Sequence, residues 1–376
     1  MGLRALLRVS KIAEKLVRAD GGQIVPRSLP APVFRDDKHH IRIYQGDCLE
    51  ILAAMPPDCV DLIFADPPYF LSNNGITCHA GRMVSVNKGE WDRSRGADAN
   101  HEFNRSWLAA CQRVLKPNGT IWVSGTAHVI HSVGFAMQQL DFKLLNDISW
   151  VKPNPPPNLS CRYFTHATET IIWAAKNKKS RHKFNYALMK QINGGKQMKS
   201  VWQIPPPESW EKKFGKHPTQ KPVALMKRIL QSASDEGDVV LDPFMGSGTA
   251  AAVALRMSRR MIGVELIEEW AMLAIRRICS DLVQVSLIVA IVQFELDLSS
   301  RSMDRSDRAT MNETPTLKLV SRERKFNFVG SIRRDVVFTV VAEDMADAWR
   351  QFRSSASAPI KILFVIKTET EIYLAQ

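Results

Sequence analysis

From Ile41 to Cys279 the sequence alternates short apolar runs of strand length with segments whose apolar residues recur at helical spacing. Few architectures accept that alternation. A strand that is apolar along its length must be covered on both faces, and each intervening helix offers one apolar stripe to do it. The expectation is an α/β sheet wrapped by helices. Strands are expected at Ile41–Tyr44, Val60–Ala65, Thr120–Ser124, Leu144–Val151, Thr168–Ala175, Val239–Leu241 and Met261–Val264. Helices are expected at Cys48–Met55, Glu102–Leu115, Val129–Leu140, Pro222–Ser234, Thr249–Ser258 and Glu268–Cys279, with a turn at Pro117–Gly119.

Three segments stand outside the pattern. Residues 1–40 form a basic extension, in which Met1–Asp20 reads as a short helix and Gly21–Pro32 as a linker. Residues 176–216 interleave Lys and Arg with Phe184, Tyr186, Trp202 and Trp210. Beyond residue 280, a linker over 281–316 leads to a small α+β unit over 317–376. That unit is read as strand Val336–Val341, helix Glu343–Phe352 and strands Lys361–Lys367 and Glu371–Leu374. The apolar stretch Leu282–Phe294 is too short to span a bilayer. It is expected to bury itself where the small unit meets the rest.

The formal net charge is +13, which calls for a polyanionic partner, nucleic acid before an acidic membrane. The six cysteines are scattered and none forms a C-x-x-C pair, which argues against a zinc site or a disulfide framework. A reducing, cytoplasmic compartment follows. The N-terminus lacks a signal-peptide pattern, since basic residues interrupt its apolar ones. His128 and His131 share one helix face, but with no third ligand nearby no metal is expected.

Asp66-Pro67-Pro68-Tyr69 follows directly on a buried-type strand. Two prolines stiffen the turn and remove two backbone donors, leaving neighbouring carbonyls as free acceptors. The Asp66 carboxylate and the Pro67 carbonyl can then each accept one N–H of an amino group on a planar ring, with Tyr69 exposed to stack on that ring. A second turn, Asp242-Pro243-Phe244-Met245-Gly246-Ser247-Gly248-Thr249, joins strand to helix. Its glycines admit close approach of a ligand, and Glu265 closes the next strand, where a carboxylate would accept from ribose hydroxyls. It lacks the Gly-Lys-Ser/Thr of a phosphate loop. In His217-Pro218-Thr219-Gln220-Lys221-Pro222, Thr219 reads as a helix cap beside a carboxylate-binding loop.

Together these motifs resemble the β group of DNA amino-methyltransferases of restriction-modification systems, N6-adenine type. In that group the tetrapeptide precedes an F-x-G-x-G turn, here Phe244 to Gly248. Asp66 to Asn73, His101 to Arg105, Asn158 to His166 and Gly195 to Lys199 resemble in particular the DpnA-like second methylases of GATC systems. The resemblance covers about Ile41 to Cys279. It implies the S-adenosyl-L-methionine (AdoMet)-dependent methyltransferase fold: seven strands, mostly parallel, circularly permuted so that the cofactor-binding strand comes late. Asp66, Pro67, Pro68 and Tyr69 would hold a flipped base. Asp242, Phe244, Gly246, Gly248 and Thr249 would shape the AdoMet pocket. Glu265 would bind the ribose, Asp47 would lie near the adenine and Thr219 near the methionine end. Target recognition would fall in 176–216, where Lys178, Lys179, Arg181, Lys183, Lys196 and Lys199 are the expected DNA contacts. A cognate restriction endonuclease and a homodimer are further expectations. N4-cytosine methylation is the competing activity, although that subset favours Ser where Asp66 stands. Glutamine methylation in a protein would favour Asn there. A DNA-binding protein with an inactive methylase-like core is the non-enzymatic alternative.

Overall fold

The computed structural model describes residues 28–282, apart from 73–75, 80–81, 86–88, 90–91, 156 and 159–160, and beyond them the backbone of five strands between 316 and 373. The chain divides after Asp281 into two units.

The first unit is built on a nine-stranded sheet. In chain order its strands are β1 (Phe34–Asp36), β2 (Ile41–Gln45), β3 (Val60–Ala65), β6 (Leu115–Gly125), β7 (Lys143–Val151), β8 (Thr168–Ala175), β9 (Val201–Gln203), β10 (Val239–Asp242) and β11 (Arg260–Glu265). A separate hairpin pairs β4 (Ile76–His79) with β5 (Arg82–Ser85). The sheet order is β1-β2-β11-β10-β3-β6-β8-β7-β9. Strands β2, β11, β10, β3 and β6 run parallel, and β8 runs antiparallel to both β6 and β7. The seven expected strands are all present. The two additions are three-residue edge strands, β1 and β9, too short to carry a periodic signal. The expected Pro117–Gly119 turn lies inside β6, next to an irregularity in its register with β3.

Helices α1 (Cys48–Ala54), α2 (Ala97–Val114) and α3 (Ala127–Gln139) share one face of the sheet. Their Leu49, Leu52, Trp107, Leu108, Val133 and Met137 form a single core with Ile63, Ile121, Val123 and Leu241. The alternate strand residues Leu62, Phe64 and Trp122 are also buried, on the opposite face. The remaining helices are α4 (Tyr186–Ile192), α5 (Val223–Ala233), α6 (Thr249–Arg256) and α7 (268–282). On the Trp122 face, Trp122 and Trp173 stack with centroids 4.6 Å apart. Such an arrangement is worth about 0.5–1.5 kcal/mol beyond the area it buries. No described helix is long and apolar enough to cross a membrane.

The strand order sets the site. β3 leads through α2 to β6 on one side, while its neighbour β10 leads through α6 to β11 on the other. The winding reverses between β3 and β10, and a crevice opens at the carboxyl ends of such a pair. Asp66 follows β3 there, and the glycine turn follows β10.

The second unit holds a five-stranded sheet of order β14-β13-β12-β15-β16. Its strands are β12 (Thr316–Arg322), β13 (Lys325–Arg333), β14 (Val336–Ala342), β15 (Phe364–Lys367) and β16 (Glu371–Tyr373). The first two were not expected. The expected helix Glu343–Phe352, most of the stretch Leu282–Phe294, the N-terminal helix and most of its linker lie outside the described residues.

Candidate active site

The tetrapeptide turns away from β3 at a buried position. Tyr69 is only 5% exposed. Its hydroxyl donates to Asp66 Oδ1 at 2.7 Å and lies 3.2 Å from Glu169 Oε2 and 3.3 Å from Ser124 Oγ. Lys221, also buried, donates from Nζ to Asp66 Oδ2 at 2.5 Å and sits 5.4 Å from the centroid of the Tyr69 ring. Glu169 lies 3.7 Å from that ammonium and accepts from Lys152 Nζ on its other oxygen at 2.5 Å. Two carboxylates and two ammonium groups thus balance within one buried network. Burial raises the Asp66 carboxyl above its ordinary value despite Lys221 beside it. Burial also disfavours the Glu169 charge, but Lys221 and Lys152 outweigh it and hold Glu169 at about 2.

This corrects the expectation of an exposed Tyr69. Its ring is enclosed, its hydroxyl orients Asp66, and an ammonium lies over it. Pro67 is buried, and among the described residues its carbonyl accepts no hydrogen bond, as a free acceptor should.

The loop after Tyr69 is held by a residue that the sequence did not single out. Asp92 is fully buried. Its Oδ1 accepts from the backbone N–H of Tyr69 and Phe70, each at 2.8 Å. Its Oδ2 accepts from Leu71 N at 3.2 Å and Ser72 Oγ at 2.9 Å. These bonds hold Phe70 at φ +58°, a left-handed conformation that a phenylalanine adopts only at a cost. An asparagine in place of this aspartate would turn one acceptor into a donor facing other donors. With charge-assisted bonds worth about 1.5–3 kcal/mol each, Asp92→Asn is expected to cost roughly 3 kcal/mol of stability and to slow turnover. Urea unfolding and initial rates check both.

Beside the tetrapeptide lies a cleft of about 150 Å³. Gly46, Asp47, Pro68, Phe103, Phe244, Gly246, Glu265, Ile267 and Trp270 line it. Glu265 Oε2 accepts from Gly246 N at 2.7 Å and Oε1 from Ile267 N at 2.9 Å, so the carboxylate is fixed while each oxygen keeps a lone pair for a ligand. Asp47 caps α1 by accepting from Leu49 N at 2.7 Å. Gly246 has φ +51°, and a Cβ there would stand 3.0 Å from the His217 ring. His217 packs edge-on against Trp270, 4.7 Å between centroids. A smaller recess continues from Gly246 towards Asp66 and is lined by Thr219, Lys221, Asp242, Phe244 and Thr249.

Two expected roles change. Gly248 does not line the cleft; a Cβ there would stand 2.7 Å from that of Ala274, so the glycine lets α7 close against the turn. Thr219 does not cap α5. Its N–H and hydroxyl lie 3.3 Å from His217 Nδ1, and Glu211 Oε2 accepts from Val223 N instead. The turn is braced from α7 by buried Arg277, which donates to Ser247 O, Thr249 Oγ1 and Glu211 O.

The expected DNA contacts are split. Because β8 runs antiparallel to β6, its end lies at the edge of the sheet opposite Asp66. Lys176 N donates to Gly119 O and Arg181 N to Asn118 Oδ1, both at the start of β6. Lys178 pairs with Asp141, and Lys183 with Asp235 and Asp238, all just ahead of strands. Lys178, Lys179, Arg181 and Lys183 therefore sit at the far edge from the tetrapeptide. Lys196 and Lys199 precede β9 on the sheet's flank; Lys199 O accepts from Trp202 Nε1.

Residues 60–276 match the family model described as DNA methylase. The chain is 53% identical over 243 residues to the type II methyltransferase M2.DpnII of Streptococcus pneumoniae, covering 64% of this chain and 91% of that protein. It is 49% identical over 246 residues to M2.MboI of Moraxella bovis, covering 65% and 90%. The PvuII DNA methyltransferase, cytosine-N4-specific, shares the fold at 22% identity, with TM-score 0.53 over 67% of this chain and 90% of that one. The ring-lined cleft, the Gly246 cradle and the fixed Glu265 suit an adenosine, and a recess that shares Phe244 and Gly246 with the cleft is lined by Asp66. With more than half of its length matched by the family model, the chain belongs to the DNA methylases, which take their methyl group from AdoMet.

Proposed function

We propose that this enzyme methylates N6 of adenine at a specific site in DNA, as the methylase of a restriction-modification system with a cognate endonuclease in the cytoplasm. The observation that carries the reading is the Asp66 carboxylate, oriented by Tyr69 and lining a recess that shares Phe244 and Gly246 with the cofactor cleft. Asp66 and the Pro67 carbonyl accept the two N–H bonds of the amine, which leaves its lone pair directed along the recess. AdoMet, when bound, supplies a methyl group on sulfur that needs no further activation. Glu265 and Asp47 hold the adenosine, Phe244 and Gly246 shape its cleft, and Thr219, Asp242 and Thr249 border the methionine end. Alignment of two bound groups is worth at best about 7–11 kcal/mol of the barrier. As positive charge develops on nitrogen, Asp66 stabilises it.

The target base lies inside the duplex and must be extruded to reach this pocket. Its amine then meets an occupied carboxylate. Lys221 holds one Asp66 oxygen and covers the Tyr69 ring, so entry of the base moves the ammonium towards Glu169, already 3.7 Å away. All of the residues named in this mechanism belong to the unit before residue 282.

Incubation of the protein with unmethylated DNA and labelled AdoMet, followed by nucleoside analysis, tests the activity. N6-methyladenine is the expected product; N4-methylcytosine would replace the reading with the cytosine activity, and no product would return the inactive core.

DNA must approach the carboxyl edge of the sheet, which takes the far-edge basic cluster out of its path. Substituting Lys178, Lys179 and Arg181 together with alanine is expected to leave the salt dependence of DNA binding unchanged. Loss of even one phosphate contact would flatten the slope of log affinity against log salt by about 0.9. Fluorescence anisotropy over a salt series measures it.

A further inference from the structure

We propose that Phe164 is a wedge that enters the base stack of the target duplex and fills the place left by the extruded adenine. The inference rests on the adenine-methylation reading and names a contact that reading does not supply.

Phe164 is 96% exposed, and no other large apolar side chain described exceeds 61%. Tyr163 beside it is 60% exposed. Both stand on the connection from β7 to β8. β7 runs in the same direction as β6, so this connection lies at the carboxyl edge, with the tetrapeptide and the cleft. Its stem is closed by Lys152 N donating to Ala167 O at 2.8 Å and by the Lys152–Glu169 ion pair. Glu169 is the carboxylate that meets Tyr69 and Lys221. Phe164 is five residues from Glu169, at most roughly 18 Å of extended chain. The exposed ring is therefore carried on a stem that ends inside the catalytic network.

The tip is shaped and charged for a duplex. Asn158 Nδ2 donates to Tyr163 O at 2.6 Å, Cys161 takes a left-handed φ of +53°, and the Tyr163 and His166 rings pack 5.4 Å apart. Arg162 and His166 are exposed on either side of the aromatic pair. A cation such as the Arg162 guanidinium that engages a phosphate, beside an apolar ring that enters between bases, is how proteins pry a base step apart. An aromatic ring has the thickness of a base, so it restores the stacking that extrusion removes. Stacking on an aromatic side chain tolerates any base, so the wedge assists extrusion without reading sequence.

Phe164→Ala changes a side chain with almost no packing of its own, so the fold is expected to stand. Methylation is measured on two duplexes, one fully paired and one with an abasic site opposite the target adenine, where extrusion is already cheap. Phe164→Ala is expected to lower kcat/KM on the paired duplex by roughly 10- to 100-fold, the scale of one lost stacking contact. On the abasic duplex it is expected to stay within about threefold of the unaltered protein, since the base to be extruded there has no pairing to break. Phe164→Trp is expected to retain activity on both. With 2-aminopurine at the target, the unaltered protein is expected to raise its fluorescence and Phe164→Ala to leave it quenched. Equal losses on the two duplexes would make Phe164 an ordinary DNA contact and overturn the wedge, as would no loss on either. Failure of the unaltered protein to methylate adenine in either duplex would overturn the adenine reading itself, and the wedge with it.

Discussion

Asp66→Asn is expected to abolish measurable methyl transfer, a fall of at least about a thousandfold, while AdoMet still binds within a fewfold of its original affinity. Asparagine keeps the size of the side chain but turns one acceptor into a donor. The amine then meets a donor where it needs an acceptor, and the developing positive charge loses its counterion. Charge-assisted bonds of about 1.5–3 kcal/mol and the alignment they enforce are removed together, which is why more than the tenfold of about 1.4 kcal/mol is expected. Lys221 keeps Glu169 as a partner, so the network survives better than it would with alanine. Calorimetric titration with AdoMet and single-turnover rates separate the two effects; parallel losses would place Asp66 in the cofactor site instead. A pH dependence accompanies it. Burial raises the Asp66 carboxyl, and a protonated carboxyl cannot accept both of its bonds. Activity of the unaltered protein should therefore fall on acidification at a pH above the ordinary value for an aspartate. Glu169, held at about 2, keeps its charge throughout that fall.

Gly246→Val is expected to weaken AdoMet binding by a hundredfold or more, about 2.7 kcal/mol, with turnover at saturating cofactor affected less. Gly246 has φ +51°, where a β-branched residue is strained, and its Cβ would press on the His217 ring, itself held against Trp270. Relief requires the turn to move, and its N–H is the group that fixes Glu265. The substitution thus reaches the cradle and the ribose carboxylate together. Gly248→Val should differ: its Cβ would meet Ala274 of α7, so the loss should appear first as stability. Titration with AdoMet and thermal melts distinguish the two, and unchanged affinity for Gly246→Val would remove the turn from the cofactor site.

Much of the site was legible because local chemistry wrote it. A proline-stiffened acidic turn after an apolar strand, and a glycine turn before a helix, keep their character whatever surrounds them. Their order along the chain implied a late cofactor strand, and the pairing of β10 with β3 realises it. Asp66, Phe244, Gly246, Asp47 and Glu265 all meet around one cleft and its recess.

What the sequence by itself determined, then, is the fold class, the two motifs and the acidic ends of their strands, since periodicity, proline and glycine act within a few residues. Tertiary structure alone decided the partners. Lys221 reaches Asp66 across 155 positions, and Glu169 reaches Tyr69 across 100. Asp92 braces a loop whose backbone carries no mark of needing it. The basic cluster after β8 looked like a DNA surface from composition, yet a single antiparallel strand carries it to the far edge and leaves the connection that bears Phe164 at the carboxyl edge. Composition records charge but not direction, and direction belongs to the sheet, because hydrogen bonding between strands distant in sequence sets which end of each faces the ligand.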